Sequence, residues 1–307
     1  TLSSSSAASD VYKRQVRGAV DPLPLDYRLP VASAQVKSAC LLAGLCAPGI
    51  TRVVEPEPTR DHTENMLRHF GAMVAVEDTE EGRVIRLDGQ PELKAAPISV
   101  PGDPSSASFP LMAALLVPGS RIRLTQIGLN PLRTGLFTTL REMGAALKIE
   151  NARIEGGEVL GDIIAEYTAL KAVDVPPGRA PSMIDEYPIL AVAASFARGT
   201  TRMRGLAELR VKESDRLAAT AALLEANGAK VAIEGDDLLV HGTGAPPAGG
   251  GFVTTHMDHR IAMAALVMGL ATQNPITVDD ASFIDTSFPG FAALMNRLAG
   301  QDAICPA

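Results

Sequence analysis

Residues 186–206 read EYPILAVAASFARGTTRMRGL and contain three features that decide the fold class. The apolar, alanine-rich part, residues 186–197, is long enough for about three turns of helix. Arg198-Gly199 follows, and glycine commonly ends a helix because it adopts the left-handed conformation readily. The next run, residues 200–206, has the composition of a short strand. This stretch therefore predicts a helix, a turn and a strand in that order.

The same layout recurs three more times along the chain. Similar apolar helices are predicted over residues 36–47, 107–117 and 260–271. The residues that break the four helices are Gly49, Gly119, Gly199 and Asn274, spaced by 70, 80 and 75 residues. Each strand-like run leads into a second helix, which ends near Gly71, Gly144, Gly228 or Gly300. Because such a period marks supersecondary units packed on one another, the sequence predicts an α/β fold made of repeats.

Composition excludes several classes of protein. The net charge of −7 argues against a surface for nucleic acids or anionic membranes. No apolar run approaches the roughly 20 residues of a membrane-spanning helix. The three cysteines, Cys40, Cys46 and Cys305, lack metal or redox spacing, so we expect free thiols in a reducing compartment. The sequence thus favours a soluble cytoplasmic protein.

The first fifteen residues, TLSSSSAASDVYKRQ, differ from the rest of the chain. They are rich in serine and alanine and show no usable periodicity, which is typical of adapter-like sequence outside a fold. We interpret residues 1–15 as a non-native leader and expect the folded protein to start near Val16.

The charged segment VKESDR, residues 211–216, is the most informative about chemistry. It is predicted to begin a helix that continues through LAATAALLEANGA. Lys212 and Arg216 would then share a helical face, where two like charges repel by about 0.2–0.5 kcal/mol unless an anion lies between them. Glu213 would lie beside this pair and could move a proton. The segment is compatible with a solvated helix face or with a site for a phosphorylated or carboxylated substrate.

Residues that are favoured at the N-cap occur where the first helix of each repeat is predicted to begin. These are Ser33, Asp103, Asp185 and Asp258, whose side chains can accept hydrogen bonds from free backbone N–H groups. Such N termini also attract anions, although most caps are only structural. His256 and His259 have a spacing that can bind a metal, but no third ligand is apparent, so we predict no metal site.

Six motifs, in this order, resemble those of the 5-enolpyruvylshikimate-3-phosphate synthase family. They are SAQVK (33–37), TRDHTE (59–64), GDPSSA (102–107), SMIDEYP (182–188), LRVKESDR (209–216) and DHR (258–260). The resemblance extends from Val16 to about Gly300. It is greatest to the bacterial subgroup that includes glyphosate-tolerant enzymes.

The resemblance implies the enolpyruvyl transferase fold, in which two domains of repeated βαβαββ units enclose the active site. Residues 16–101 would be the remnant of the N-terminal-half domain, and residues 102–307 would form the second domain. The family's first stretch, with a Gly-x-Lys-Ser loop and an arginine that contact phosphoenolpyruvate, has no counterpart here. We therefore expect an N-terminally truncated chain that is inactive by itself, from a protein that is monomeric when full length.

The implied reaction transfers the enolpyruvyl group of phosphoenolpyruvate to the 5-hydroxyl of shikimate 3-phosphate and releases phosphate. It belongs to the shikimate pathway of aromatic amino acid biosynthesis and needs no metal or organic cofactor. The implied partners are these two small anions. By resemblance, Ser33 and Gln35 hold shikimate 3-phosphate, Ala34 lies between them in the substrate-binding set, and Arg60 contacts the phosphate.

The remaining implied roles concern the reacting atoms. Asp185 would accept the proton of the 5-hydroxyl, and Glu213 would deliver or remove the methylene proton of phosphoenolpyruvate. Lys212 would bridge the substrates, while Arg216 and Arg260 would hold phosphoenolpyruvate, since a guanidinium pairs with a carboxylate or phosphate through two hydrogen bonds.

One departure from the family and two alternative functions remain open. Some family members have a lysine before the C-terminal Phe-Pro, where this chain has Ser287. The first alternative is the sister enzyme that uses UDP-N-acetylglucosamine, which carries a reactive cysteine on an early loop. Cys40 and Cys46 fit that role poorly because they fall within or at the end of a predicted helix. The second alternative is a non-enzymatic repeat scaffold.

Overall fold

A computed structural model describes residues 18–306, so the predicted leader lies outside the described residues. The helices of this part of the chain are α1 Ala34–Gly44, α2 His62–His69, α3 Pro104–Leu116, α4 Gly135–Glu142, α5 Tyr187–Phe196, α6 Arg216–Ala226, α7 His259–Gly269 and α8 Phe291–Ala299. Its strands are β1 Asp26–Arg28, β2 Ile50–Glu55, β3 Val74–Thr79, β4 Gly82–Asp88, β5 Arg121–Gly128, β6 Ala146–Glu155, β7 Glu158–Glu166, β8 Asp174–Val175, β9 Arg198–Met203, β10 Lys230–Glu234, β11 Asp237–Thr243, β12 Phe252–Val253 and β13 Thr277–Val278. None of these helices is both long and apolar enough to cross a membrane.

The chain divides into two compact units. The smaller contains the residues up to Glu57 together with Gly71–Lys94, and the larger contains Pro58–Phe70 and the residues from Ala95 onward. This division differs from the predicted boundary at residue 102 because it places α2 in the larger unit. The predicted domain organisation stays a prediction.

The strand order repeats along the chain, which confirms the predicted α/β repeat architecture. The first sheet has the order β1-β2-β4-β3, and the third has the equivalent order β8-β9-β11-β10. In both, the first two strands run parallel and the following hairpin is antiparallel. The sheet β5-β7-β6 lacks a full first strand, but Gly102 forms a parallel bridge with Ile127 in that place. These are βαβαββ units.

The breaker glycines adopt the conformation that their role requires. Gly49, Gly119 and Gly199 have φ angles of 97°, 79° and 108°, in the region where a residue with a side chain is strained. The helix before each of them ends three to five residues earlier. The predicted order of helix, breaker and strand is therefore confirmed.

Three first helices of successive repeats, α3, α5 and α7, pack against one another at the centre of the larger unit. All ten residues of α5 are buried, which is expected for a helix that is apolar on every face. Alanines such as Ala191, Ala194 and Ala264 are fully buried in this core and allow the helices to approach closely. The N-terminal turns of these helices carry the polar residues described below.

Replacing Gly242 by Ala is expected to destabilise the larger unit by about 3 kcal/mol. A Cβ at Gly242 would lie 2.0 Å from the carbonyl oxygen of Ala197 and 2.5 Å from that of Ala194, at the end of α5. Strand β11 can approach the end of α5 this closely only because residue 242 has no side chain. Urea unfolding measures the loss. Gly178→Ala is the matched control, because a Cβ there meets nothing within 4 Å, and an equal loss in both variants would contradict the argument.

Candidate active site

The N-terminal turns of α3, α5 and α7 meet at one end of the helical core. Asp103 caps α3 by accepting a hydrogen bond from Ser106 N at 2.9 Å, and Asp258 caps α7 by accepting one from Arg260 N at 3.0 Å. Helix α5 differs, because a 3-10 turn, Ile184–Glu186, precedes it and carries Asp185. The predicted caps Asp103 and Asp258 are therefore confirmed. Asp185 is not a cap, and its carboxylate is left for other contacts.

The carboxylate of Asp185 is the centre of a cluster of cations. Arg60 Nη2 donates to Oδ2 at 2.9 Å, Arg216 Nη1 donates to Oδ1 at 3.1 Å, and Arg260 Nη2 lies 3.9 Å from Oδ2. Burial by itself would raise the pKa of Asp185, but Arg260, Arg60 and the charge of Lys212 outweigh it and hold this pKa well below its usual range. Asp185 is therefore ionised at neutral pH.

The helix predicted to begin at Val211 starts later, so that prediction is wrong. Helix α6 begins at Arg216, and Asp215 caps it by accepting a hydrogen bond from Ala218 N at 3.0 Å. Aspartate is favoured at the N-cap over the helix interior because it satisfies a free N–H group there. Lys212 lies in the preceding turn and pairs with Glu208. Lys212 and Arg216 consequently do not share a helical face.

The guanidinium of Arg216 is 1% exposed and contacts three carboxylates. Besides Asp185, its Nε donates to Asp258 Oδ2 at 2.8 Å, and its Nη2 pairs with Glu213. Ser214 Oγ also donates to Asp258 Oδ2, at 2.9 Å, and so ties the turn before α6 to the start of α7. Glu213 is 54% exposed, so it is the one of the three carboxylates most free to leave.

The position of Arg60 is fixed by contacts made at the start of α2, the helix that follows it. His62 Nδ1 lies 2.8 Å from Glu158 Oε1, and Asn130 Nδ2 donates to Asp61 Oδ1 at 2.6 Å. Burial would raise the pKa of Glu158, but the contacts with His62, Asn130 and Asn65 together outweigh it and lower this pKa. Sequence reasoning missed Asn130 and Glu158, since neither belongs to a motif and both act through residues distant in sequence.

A second buried group was also missed by sequence reasoning. Glu186 is buried beside Asp185, and its Oε1 accepts a hydrogen bond from Ser105 Oγ. Arg133 Nη2 donates in turn to Ser105 Oγ at 2.7 Å and to Asp103 Oδ1 at 3.0 Å. The sequence did contain one signal for this group, because Glu186 is a second carboxylate directly after Asp185 and before an otherwise apolar helix.

The predicted site residues of the smaller unit lie at the start of α1. Ser33 caps the helix by accepting a hydrogen bond from Val36 N at 3.3 Å, as predicted, and Ser33 Oγ lies 3.5 Å from Gln35 Oε1. Ala34 is the first residue of the helix. The structure thus brings together in the larger unit Arg60, Asp185, Lys212, Glu213, Arg216 and Arg260. The roles predicted for these residues, and for Ser33, Ala34 and Gln35, stay predictions.

Replacing Asp258 by Asn is expected to cost about 3 kcal/mol of unfolding free energy at pH 7, because a charged hydrogen bond to buried Arg216 is lost. Burial would raise the pKa of Asp258, but the hydrogen bond and charge of Arg216, together with the hydrogen bonds from Ser214 and Arg260 N, outweigh it and lower this pKa. A lowered pKa gives stability that is present above the unfolded value of about 3.9 and lost as pH falls through the folded value. The difference in unfolding free energy between the two proteins should therefore be constant from about pH 7 to pH 5 and decrease as the pH falls below about 4. Exposed Asp302→Asn is the control, and a gap independent of pH would contradict the prediction.

The described residues contain no group of three or more His, Cys, Asp or Glu side chains that could hold a metal ion. His256 lies before the cap of α7 with a φ of 53°, and His259 is the first residue of that helix. Burial, together with the charge of Arg260, lowers the pKa of His259.

Comparison with solved structures defines the class of protein. EPSP synthase from Acinetobacter baumannii superposes with a TM-score of 0.84 and 45% sequence identity, covering 90% of this chain and 62% of that one. The enolpyruvyl transferase NikO from Streptomyces tendae superposes with a TM-score of 0.63 at 22% identity, over 84% of this chain and 57% of that one. At that identity NikO supports the fold alone. The fold is that of the enolpyruvyl transferases, as predicted.

Sequence comparison identifies the family within this class. The family model described as EPSP synthase (3-phosphoshikimate 1-carboxyvinyltransferase) matches residues 14–295, and the chain belongs to this family. A 3-phosphoshikimate 1-carboxyvinyltransferase of Granulibacter bethesdensis is 71% identical over 94% of this chain, and one of Acidiphilium cryptum is 69% identical over 92%. The chain spans 64% and 63% of the lengths of these relatives.

Proposed function

We propose that the protein from which this chain comes is a 3-phosphoshikimate 1-carboxyvinyltransferase. It would transfer the enolpyruvyl group of phosphoenolpyruvate to the 5-hydroxyl of shikimate 3-phosphate. The observation that carries the proposal is the cluster around Asp185, where an ionised carboxylate meets three arginines at the N termini of packed helices. Cations and helix N termini offset the repulsion between two anionic substrates. The family and its highly identical relatives support the same reaction.

The proposed chemistry divides the proton transfers between two carboxylates. Asp185 takes the proton of the 5-hydroxyl, while the oxygen of that hydroxyl forms a bond to C2 of phosphoenolpyruvate. Asp185 later returns this proton to solvent. Glu213, after taking up a proton from solvent, gives that proton to the methylene carbon, which becomes a methyl group. Glu213 then takes a proton back from that methyl group as the C2–O bond to phosphate breaks. General acid–base catalysis of this kind contributes about 10²–10⁴-fold to a rate.

Arg60 would link substrate binding to the strength of the base. Arg60 donates a hydrogen bond to Asp185 and lowers the pKa of that carboxyl. If the phosphate of shikimate 3-phosphate takes over Arg60, one cause of that lowering is removed, and the pKa of Asp185 rises. Asp185 then becomes a stronger base when the hydroxyl that it must deprotonate is bound.

Arg216 and Arg260 would hold phosphoenolpyruvate, and Lys212 would lie between the two substrates. Because Arg216 already contacts three carboxylates, an entering anion must replace one of them. Glu213 is the exposed one, and its movement away from Arg216 would place it against the substrate whose methylene carbon it protonates. The same displacement would therefore open the anion site and free the proton donor.

Two other functions are less well supported. Cys40 lies inside α1, whereas the enzyme that uses UDP-N-acetylglucosamine would carry its reactive cysteine on a loop. A scaffold without enzymatic activity would not need four cationic side chains around one partly buried carboxylate. Neither alternative accounts for the Asp185 cluster.

Several finer properties remain predictions. They are a cytoplasmic location, a monomeric state when full length, the absence of a cofactor and membership of the subgroup with glyphosate-tolerant enzymes. Gel filtration of the full-length protein tests the second. Activity in the presence of glyphosate tests the last.

The proposed function is tested by phosphate release from shikimate 3-phosphate and phosphoenolpyruvate. Because the chain spans 64% of the Granulibacter bethesdensis relative, the assay uses a chimera in which residues 18–306 replace the matching segment of that relative. Release that is lost on Glu213→Gln is the expected result. A folded chimera that binds shikimate 3-phosphate but releases no phosphate would contradict the catalytic assignment, and absence of binding would contradict the substrate.

A further inference from the structure

Glu186 is a buried carboxylate at the candidate active site that has no role in the reaction proposed above. Its side chain is 4% exposed, and Oε1 lies 3.8 Å from Arg260 Nη1. The same oxygen accepts a hydrogen bond from Ser105 Oγ. A carboxylate removed from water persists as an anion only where nearby cations and donors compensate for the lost hydration. Its charge state therefore depends on Arg260.

Arg133 fixes which oxygen of Glu186 can bind a proton. It donates to Ser105 Oγ at 2.7 Å, and arginine has no acceptor, so the single hydroxyl hydrogen of Ser105 must point to Glu186 Oε1. Oε1 is thus an acceptor whether or not Glu186 is ionised. No hydrogen bond from the described residues reaches Oε2. A proton bound by Glu186 consequently belongs on Oε2.

Charged groups from each neighbouring element act on Glu186. Arg260 approaches from α7, Arg133 from the turn before α4, and Asp185 is adjacent in the chain. Burial raises the pKa of Glu186, and the charge of Asp185 adds to this, while Ser105, Arg260 and Arg133 oppose it. An anion that neutralises Arg260 removes one of the opposing effects.

Arg260 is also fixed from a second direction. Its Nη1 lies 3.3 Å from the carbonyl oxygen of Asp185, to which it donates. The guanidinium is therefore held between the Asp185 carbonyl and the Glu186 carboxylate. This is the orientation in which it also faces the Asp185 carboxylate.

We propose that Glu186 is the counterion of Arg260, holding the guanidinium in place and taking up a solvent proton on Oε2 when a substrate anion takes over Arg260. Glu186 is then a positioning residue, because it acts on the substrate through Arg260. The only bond formed is the O–H bond of the carboxylic acid, and the proton comes from solvent. The identity of the anion as phosphoenolpyruvate rests on the proposed function.

The first test measures the coupling of Glu186 to Arg260 in the chain without substrate. A raised pKa gives stability that is complete below the unfolded value of about 4.3 and lost as pH rises through the folded value. The stability of Glu186→Gln relative to the unaltered chain should therefore increase with pH. The increase should be larger when Arg260→Gln is also present, because the pKa of Glu186 is then higher. An equal increase in both backgrounds would overturn the proposal.

The second test measures proton uptake on binding of phosphoenolpyruvate. Calorimetric titrations in two buffers with different heats of ionisation give the number of protons taken up. In the chimera described above, the protein with Glu186 should take up protons, and Glu186→Gln should bind phosphoenolpyruvate with most of that uptake lost. His259→Gln is the control, since an anion on Arg260 would also raise the pKa of His259, and this variant should keep most of the uptake. Undiminished uptake by Glu186→Gln would overturn the proposal.

The two tests separate this proposal from the proposed function. Failure of every variant to bind phosphoenolpyruvate would count against the substrate assignment. The stability comparison needs no substrate, so it would still decide whether Glu186 and Arg260 are coupled.

Discussion

Asp185→Asn is expected to lower kcat for phosphate release by about 10³-fold, within the range for loss of a general base. An amide cannot accept the proton of the 5-hydroxyl, although it has nearly the same shape as the carboxylate. The variant removes the negative charge of Asp185, with which Arg60 is paired. Arg60 should therefore remain available to bind the phosphate of shikimate 3-phosphate. The measurement is kcat together with the Kd for shikimate 3-phosphate, both in the chimera described above. We expect that Kd to change by less than about 10-fold.

The control for Asp185→Asn is the exposed carboxylate Asp302, whose amide variant should keep full activity. A large loss of binding with little change in kcat would mean that Asp185 only holds the substrate. Loss of secondary structure in the variant would assign the effect to folding, because Asp185 pairs with three arginines of the larger unit. Circular dichroism distinguishes these outcomes.

Lys37→Met is expected to destabilise the smaller unit by about 3–5 kcal/mol, the usual cost of breaking a buried ion pair. Lys37 in α1 and Glu55 at the end of β2 are both 0% exposed, and Lys37 Nζ lies 3.2 Å from Glu55 Oε2. Methionine has a similar shape but no charge, so it leaves Glu55 buried without this cation. Urea unfolding of the chain and of the variant measures the difference.

A double variant tests whether the loss comes from the charge. Lys37→Met with Glu55→Leu removes both charges and should recover most of the stability, because an apolar pair of similar volume often replaces a buried ion pair without loss. Exposed Lys94→Met is the matched control and should change the unfolding free energy by less than about 0.5 kcal/mol. A double variant no more stable than Lys37→Met would contradict this explanation.

Local signals in the sequence account for much of the fold. The run 186–206 predicted a helix, a break and a strand, and the structure has α5 and β9 there with Gly199 at positive φ. Such features depend on residues close in sequence, because helix ends and turns are set by backbone conformation and capping. The same signals recur in each repeat, so the α/β repeat architecture followed from them.

The error at Val211 shows the limit of local pattern. The charges of residues 211–216 fit a helical face, yet the helix begins only at Arg216. Asp215 caps the helix there, and Ser214 donates a hydrogen bond to Asp258 instead of continuing a helix. Aspartate four residues after Val211 was a local signal for a later start. The bond to Asp258, 44 residues away, was not available locally.

The sequence by itself determined the repeat, the breaker glycines, the caps Ser33, Asp103 and Asp258, and through its motifs the candidate residues Asp185, Glu213, Arg216 and Arg260. Only the tertiary structure decided that Asp185 meets Arg60, 125 residues away, and Arg216, 31 residues away. It also decided that Glu186, Ser105 and Arg133 form a buried group beside them. The physical reason is that helix starts are fixed by neighbouring residues, whereas the partners and protonation of a buried charge depend on which helices pack together.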